Sequence, residues 1–294
     1  ASMEFCGTGR IVNNRIIGNT SMFGAGFSGG IPAWSENISI TIEGNLFQRN
    51  HATQNCGTMN IYGSGTTAYI RKNVIIDNSA DIQLGGVVAG DSSIVIVEQN
   101  YLSRNTSTIN YNGIYLWRTK KNNVIMNNII TNHSGYGIGL GSGFGLTSRA
   151  QIMNNTIVGN TNGIDANTSS NSTAYVMNNI VKNAGVEFSG NVFASNNLVE
   201  GGYAGTGNID ADALFVANDS LYHLTPSSPC INKGVNTATV VGIVLTAPFR
   251  DYFGTVRPPN STPDMGAVED GTWTGVRELI SNHLPNSFEL SQNY

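Results

Sequence analysis

One phrase recurs along the chain: a short apolar run, one or two Asn, two or three mostly apolar residues, and a closing Asn. It reads IVNNRIIGN at 11–19, ITIEGNLFQRN at 40–50, YIRKNVIIDN at 69–78 and IVEQNYLSRN at 96–105. It returns as VIMNNIITN at 124–132, QIMNNTIVGN at 151–160, YVMNNIVKN at 175–183 and, more weakly, VFASNNLVEG at 192–201. Marked by the Asn before the second apolar pair, the copies sit at Asn14, Asn45, Asn73, Asn100, Asn128, Asn155, Asn179 and Asn197, with steps of 31, 28, 27, 28, 27, 24 and 18 residues. Such a step is too short for an independent domain and fits one turn of a solenoid with three short strands and three corners.

Inside each unit the residues are strand-like. Ala174–Met177 and Ile94–Val97 are dominated by β-branched and aromatic side chains flanked by breakers. A second strand follows the closing Asn in the form Gly-apolar-x-apolar-x, as in Gly113-Ile114-Tyr115-Leu116-Trp117 and Gly163-Ile164-Asp165-Ala166-Asn167. Alternation turns its apolar pair inward and its x positions outward. Asn suits the corners twice over: it tolerates the left-handed backbone, and stacked copies can exchange amide hydrogen bonds that would otherwise be lost in the core. The expected fold is all-β, a single-stranded right-handed parallel β-helix of about seven to eight rungs over residues 1–201. A closing segment over 202–270, packed on the last rungs, and a linker over 271–294 are expected to follow.

Only 12% of the 294 residues are charged and 40% are hydrophobic, so the chain folds rather than staying disordered, and the missing charge is replaced by Asn, Ser, Thr and 35 Gly. A net charge of −4 without a basic stripe gives no footprint for nucleic acid. No apolar run approaches the roughly 18 residues needed to cross a bilayer. Cys6 and Cys56 can pair if the first rungs bring them together; equally, Cys6, Cys56 and Cys230 can be three small buried hydrophobes.

These repeats resemble those of pectate-lyase-like and polygalacturonase-like β-helix proteins over about residues 9–201. The phrase Tyr222 to Gly234, with Arg250-Asp251-Tyr252-Phe253-Gly254-Thr255-Val256-Arg257-Pro258 and Asp264-Met265-Gly266-Ala267-Val268-Glu269, is similar to the closing motif of bacterial β-helix proteins of the choice-of-anchor type. Cys230 and Asn232 stand where that motif has Ala and Asp. Leu284 to Tyr294 resembles the linker that leads into a type IX secretion sorting domain. The resemblance implies a bacterial protein, secreted or at the cell surface, whose partner is a polysaccharide or other extracellular glycan.

Outward positions of the second strand are expected to form columns up the solenoid. One reads Asn60, Gln83, Tyr115, Gly139, Asp165, Glu187; its neighbour reads Tyr62, Gly85, Trp117, Gly141, Asn167, Ser189. Aromatic rings stack on the apolar faces of sugars while amides and carboxylates bond their hydroxyls, which makes Tyr62, Tyr115, Trp117, Tyr136 and Lys120 the candidate glycan contacts. Arg118, with Lys120 and Lys121, can receive an acidic sugar's carboxylate or form a solvated corner. His133 follows a closing Asn and reads as a turn residue or an acid–base group. Asp165 and Glu187, on adjacent rungs about 5 Å apart, would suit a retaining carboxylate pair, or fall together by chance. The Asp-Asp pair and Gly-His-Gly of polygalacturonase-type hydrolases are missing, so that Arg118-Thr119-Lys120, although of the form Arg-x-Lys, stands without the rest of their set; the Asp-His phrase of the pectate lyases is missing too. Asp251, Asp264 and Glu269 read as corner staples with Arg257. No zinc spacing occurs, no cofactor is evident, and Ca2+ is supported by no motif. Two functions therefore stand side by side: a surface protein that binds polysaccharide, and a carbohydrate-active lyase, hydrolase or epimerase.

Overall fold

The computed structural model describes residues 3–30, 37–119, 123–167, 171–183, 185–257 and 262–270. The chain is a parallel β-helix built on three eight-stranded sheets. Face A runs from Met3–Phe5 through Phe27–Gly30, Met59–Tyr62, Val87–Gly90, Tyr111–Trp117, Tyr136–Gly141 and Asn162–Ala166 to Phe188–Gly190. Face B runs from Gly9–Val12 to Val192–Ser195, and face C from Arg15–Ile17 to Leu198–Val199. Every pairing within these faces is parallel, and alternate residues enter one continuous core. Ile40, Ala68 and Val95, for example, lie in register on consecutive rungs and are fully buried.

A fourth, four-stranded sheet, D, departs from the expected three strands per turn. Its strands, Thr20–Phe23, His51–Asn55, Ser79–Gln83 and Thr106–Ile109, lie between faces C and A in the first four rungs only. From Tyr111 onward the chain passes from C to A directly. The repeat length hides this change, because the next turn spends the residues on the A-to-B loop over 142–148.

The marked asparagines form one buried ladder at the B–C corner. From Asn14 to Asn197 each amide Nδ2 donates to the Oδ1 of the next copy at 2.9–3.1 Å, and Asn208 terminates the column. The ladder asparagines do not hold the left-handed backbone expected of them. That conformation belongs to the preceding residues: Asn13, Gly44, Lys72, Gln99, Asn127, Asn154, Asn178 and Asn196, with φ of 51–67°. The corner thus divides its work, one residue turning the chain and the next sending its amide into the core. Unpaired, each buried amide would cost about 1–3 kcal/mol.

A second ladder follows face C through Asn19, Asn50, Asn78, Asn105, His133, Asn160 and Asn183. His133 therefore occupies a ladder position, and neither a turn nor an exposed acid–base site.

Residues beyond 202 lie along the flanks of faces B and C as well as at the end of the solenoid. Leu221, Tyr252, Ala267 and Val268 pack on Leu46, Val74, Tyr101 and Ile129 of face C. An antiparallel hairpin, Thr237–Val240 with Ile243–Thr246, packs Val240 and Leu245 against Met153 and Met177 of face B. The turn residues fasten this segment. Gln99, Asn127, Asn154 and Asn178 donate their side-chain amides to the carbonyls of Asp251, Arg250, Asp264 and Val235. Buried Arg257 binds Glu269 at 2.5 Å, Asn127 Oδ1 at 3.0 Å and the Gly266 carbonyl at 3.0 Å. The stretch from Tyr203 to Ile209 meets the last turn end-on, the Tyr203 ring packed edge to face on Phe188 and Ile209 bridging to Leu198. All three cysteines are free, so Cys6 and Cys56 do not pair. Pro258 and the 271–294 linker lie outside the described residues.

Candidate functional site

The outer surface of face A and the edge of sheet D enclose a groove of about 660 Å3. Asn60, Tyr62, Val88, Gly90, Tyr115 and Trp117 make its floor; Phe23, Asn55 and Gln83 of sheet D make its wall. At the D-to-A corner Cys56 and Leu84, both at positive φ, bury their side chains with Val88 beneath Tyr111 and Tyr115. Burial pushes the Cys56 thiol up to about 12.

The register corrects four members of the expected columns: Gln83, Gly85, Glu187 and Ser189. One outward column reads Glu4, Ser28, Asn60, Val88, Tyr115, Gly139, Asp165, Ser189. Val88 takes the place given to Gln83, which belongs to sheet D opposite Asn55. Gly90 replaces Gly85 beside Trp117, and Ser189 rather than Glu187 follows Asp165. The unread fourth sheet caused the first two slips, since its strand was counted as part of face A.

Tyr111, which the sequence did not single out, organises the upper floor. Gly139 has no side chain, and a Cβ there would lie 2.3 Å from the Tyr111 ring. Through that gap Tyr111 stacks on Tyr115 at 4.6 Å and Tyr136 at 5.5 Å, and donates its hydroxyl to Asp165 at 2.7 Å. Burial, then the bond to Asp165 and its charge, raise the Tyr111 phenol; burial and the same carboxylate push Tyr115 up to about 12. Both phenols stay protonated near neutral pH, and Tyr111 spends its proton on Asp165. Tyr136 belongs to this stack and not to the groove lining.

Trp117 lines the groove and donates its indole N–H to the Ser142 carbonyl at 3.0 Å. Arg118 lies over the Trp117 ring at 3.6 Å and beneath the exposed Phe144 at 4.8 Å, and its guanidinium is paired with Asp91. It is held, rather than free to meet a carboxylate. Lys120 and Lys121 lie outside the described residues.

The expected Asp165–Glu187 pair does not form. Glu187 turns into the second ladder, where its two oxygens accept the backbone N–H and side-chain amide of Asn183 at 2.5 and 2.7 Å. It ends the ladder as one more acceptor, and burial raises its pKa against the pull of those bonds. His133 accepts the Asn105 backbone N–H at Nδ1, 3.0 Å away, while its buried Nε2 has no partner. Burial drives its pKa down to about 3, so the ring is neutral.

Fold and groove together define a parallel β-helix protein with an aromatic trough between a sheet face and a side wall. A family model described as "Periplasmic copper-binding protein (NosD)" matches residues 5–208, and the chain belongs to that family. No curated protein matches the sequence. Among solved structures, the crystal structure of pectate lyase Pel9A is similar in fold, with a TM-score of 0.42 and 17% identity over 83% of this chain and 76% of that one.

Copper takes imidazole, thiolate and thioether donors. Among the described residues no three His, Cys, Asp or Glu side chains converge on a metal position. His51 is engaged with Ser79 and Asp81, His133 with its ladder and His223 with Asp219. Cys56 and Cys230 have thiols pushed up to about 12 by burial, and remain protonated. Met126, Met153 and Met177 stack on consecutive rungs but pack into the cluster under the hairpin. The described residues do not fit a copper centre. Nor is any described helix long and apolar enough to cross a membrane.

Proposed function

We propose that this protein binds polysaccharide outside the cytoplasm, in the periplasm or at the cell surface, and does so along the face A groove. The observation that carries this reading is the groove itself: Tyr62, Tyr115 and Trp117 on one floor, facing the amides of Asn55 and Gln83 across a trough of about 660 Å3. Half-buried aromatics offer apolar faces to pyranose rings, and neighbouring amides and hydroxyls meet the sugar's own hydroxyls. The periplasmic description of the family supports the location. The alternative, a carbohydrate-active enzyme, loses its carboxylate pair, because Glu187 serves the ladder and Asp165 accepts from Tyr111.

Affinity electrophoresis against a panel of soluble polysaccharides, with product release recorded in parallel, tests the reading. Trp117→Ala is expected to weaken retention by about 1–3 kcal/mol, the usual loss for a well-packed contact aromatic. A panel in which no polymer is retained, or in which Trp117→Ala changes nothing, defeats the groove as the binding surface.

A further inference from the structure

We infer that the groove selects an uncharged glycan and rejects polymers of uronic acids; this rests on the glycan-binding reading above. The strands of face A contain no Lys or Arg at all, and their two charged residues, Glu4 and Asp165, are both acidic. Both stand in the outward column that runs through the groove floor. Within the described lining the one charged side chain is Asp91. Its partner among the described residues, Arg118, is committed three ways: to Asp91, to the Trp117 ring and to the Phe144 ring. A uronate entering the groove would lose part of its hydration and find no free cation among the described lining residues to replace it, while meeting the field of the column's carboxylates. A neutral sugar meets what the lining does provide: amides at Asn55, Asn60 and Gln83, and aromatic rings.

The same geometry sets the direction of the bound chain. Tyr62 and Trp117 occupy one outward column two rungs apart, with Gly90 between them. That separation, about 9.6 Å at about 4.8 Å per rung, is on the scale of a disaccharide. Gly90 puts no side chain between them, although a Cβ there would lie 3.3 Å from the Trp117 carbonyl oxygen and 3.7 Å from its ring, so the polymer runs along the solenoid axis from ring to ring.

The test uses the full chain in affinity electrophoresis at low salt. Galactomannan, xyloglucan and β-glucan serve as neutral probes; polygalacturonate and alginate serve as acidic ones. At least one neutral polymer is expected to be bound tenfold or more tightly than either acidic polymer. Gly90→Gln, which places a side chain in the gap, should abolish that retention while the protein still melts cooperatively within a few degrees of the original, its Cβ displacing Trp117 by a few tenths of an ångström. Asp91→Asn releases Arg118, and should add a retention of polygalacturonate that disappears at high salt. Retention of an acidic polymer by the native protein, lost in Gly90→Gln, would overturn the selectivity while leaving glycan binding in place. Failure of every polymer to bind would remove the glycan-binding reading and this inference with it. Asp91→Asn without any gain for polygalacturonate would show that the ion pair does not set the selectivity, and would also overturn the argument.

Discussion

His133 is the one residue that breaks the second amide ladder. An asparagine in that place would accept both the backbone N–H and the side-chain amide of Asn105 and would donate to Asn160, as its neighbours do on adjoining rungs. The imidazole accepts only the backbone N–H and leaves Nε2 unpaired in the core. His133→Asn is therefore expected to stabilise the protein by about 1–2 kcal/mol, read as an upward shift of the urea midpoint at pH 7. The pH dependence has a definite sign. With the folded pKa at about 3 and the ordinary value at 6.5, the unfolded chain binds the extra proton between them. Stability from this group is complete above pH 6.5 and is lost as the pH falls toward 3. The variant should lack that slope, so its advantage over the native protein should widen from pH 7 to pH 4; a constant difference would contradict the assignment. Sequence reading missed the role of His133 because Asn132 beside it completes the repeat phrase one position early. Glu187 was misplaced for a related reason: a carboxylate on a strand looks like an outward group until its amide partners are known.

Among the elements, the B–C corner shows how the chain couples its repeat to its closing segment. On face B the outward column beside the corner reads Glu43, Arg71, Glu98 on the earlier rungs, joined by ion pairs, and Met126, Met153, Met177 on the later ones. The change from charge to thioether falls where the hairpin arrives to cover the sheet. That boundary was present in the residues, yet without knowing what covered the methionines their meaning could not be read. Arg257 is the central fastener, and removing it leaves Glu269 unpaired in the interior. Arg257→Ala should cost about 3–5 kcal/mol, whereas Arg257→Met combined with Glu269→Gln should cost less, because the Glu269 charge is removed with its partner and only the hydrogen-bonded Asp251 and Asp264 keep theirs. Equal losses in chemical denaturation would show that packing, and not the unpaired charge, dominates. Tyr111 gives an element-scale test within the site. Tyr111→Phe keeps the stack on Tyr115 and removes only the bond to Asp165, so glycan retention should change by less than threefold while stability falls by about 1–2 kcal/mol. A large loss of retention would mean that the hydroxyl itself meets the ligand.

At the scale of the whole molecule, the solenoid and the columns of face A were legible because a period near 27 residues carried both the inward apolar pairs and the outward aromatics. Sheet D was not, since its strands occupy the same stretch of each repeat that later rungs spend on a loop; the groove wall went with it. Both amide ladders run one way, each asparagine amide donating toward the C-terminal end except at the His133 break, and both stop on oxygen acceptors: Glu187 in one and Asn208 in the other. Because the ladder stops lie at the far end, the turns that carry sheet D and precede the His133 break repeat one another closely. Copying the 27 residues from Asn73 to Gln99 and inserting the copy before Asn100 should yield a soluble protein that melts within a few degrees of the original. Each such insertion would lengthen the trough by about 4.8 Å. The molecule is in this sense a ruler with fixed stops: under the proposed glycan binding, the stretch of polymer grasped would be set by a count of turns and could be altered without redrawing any one of them.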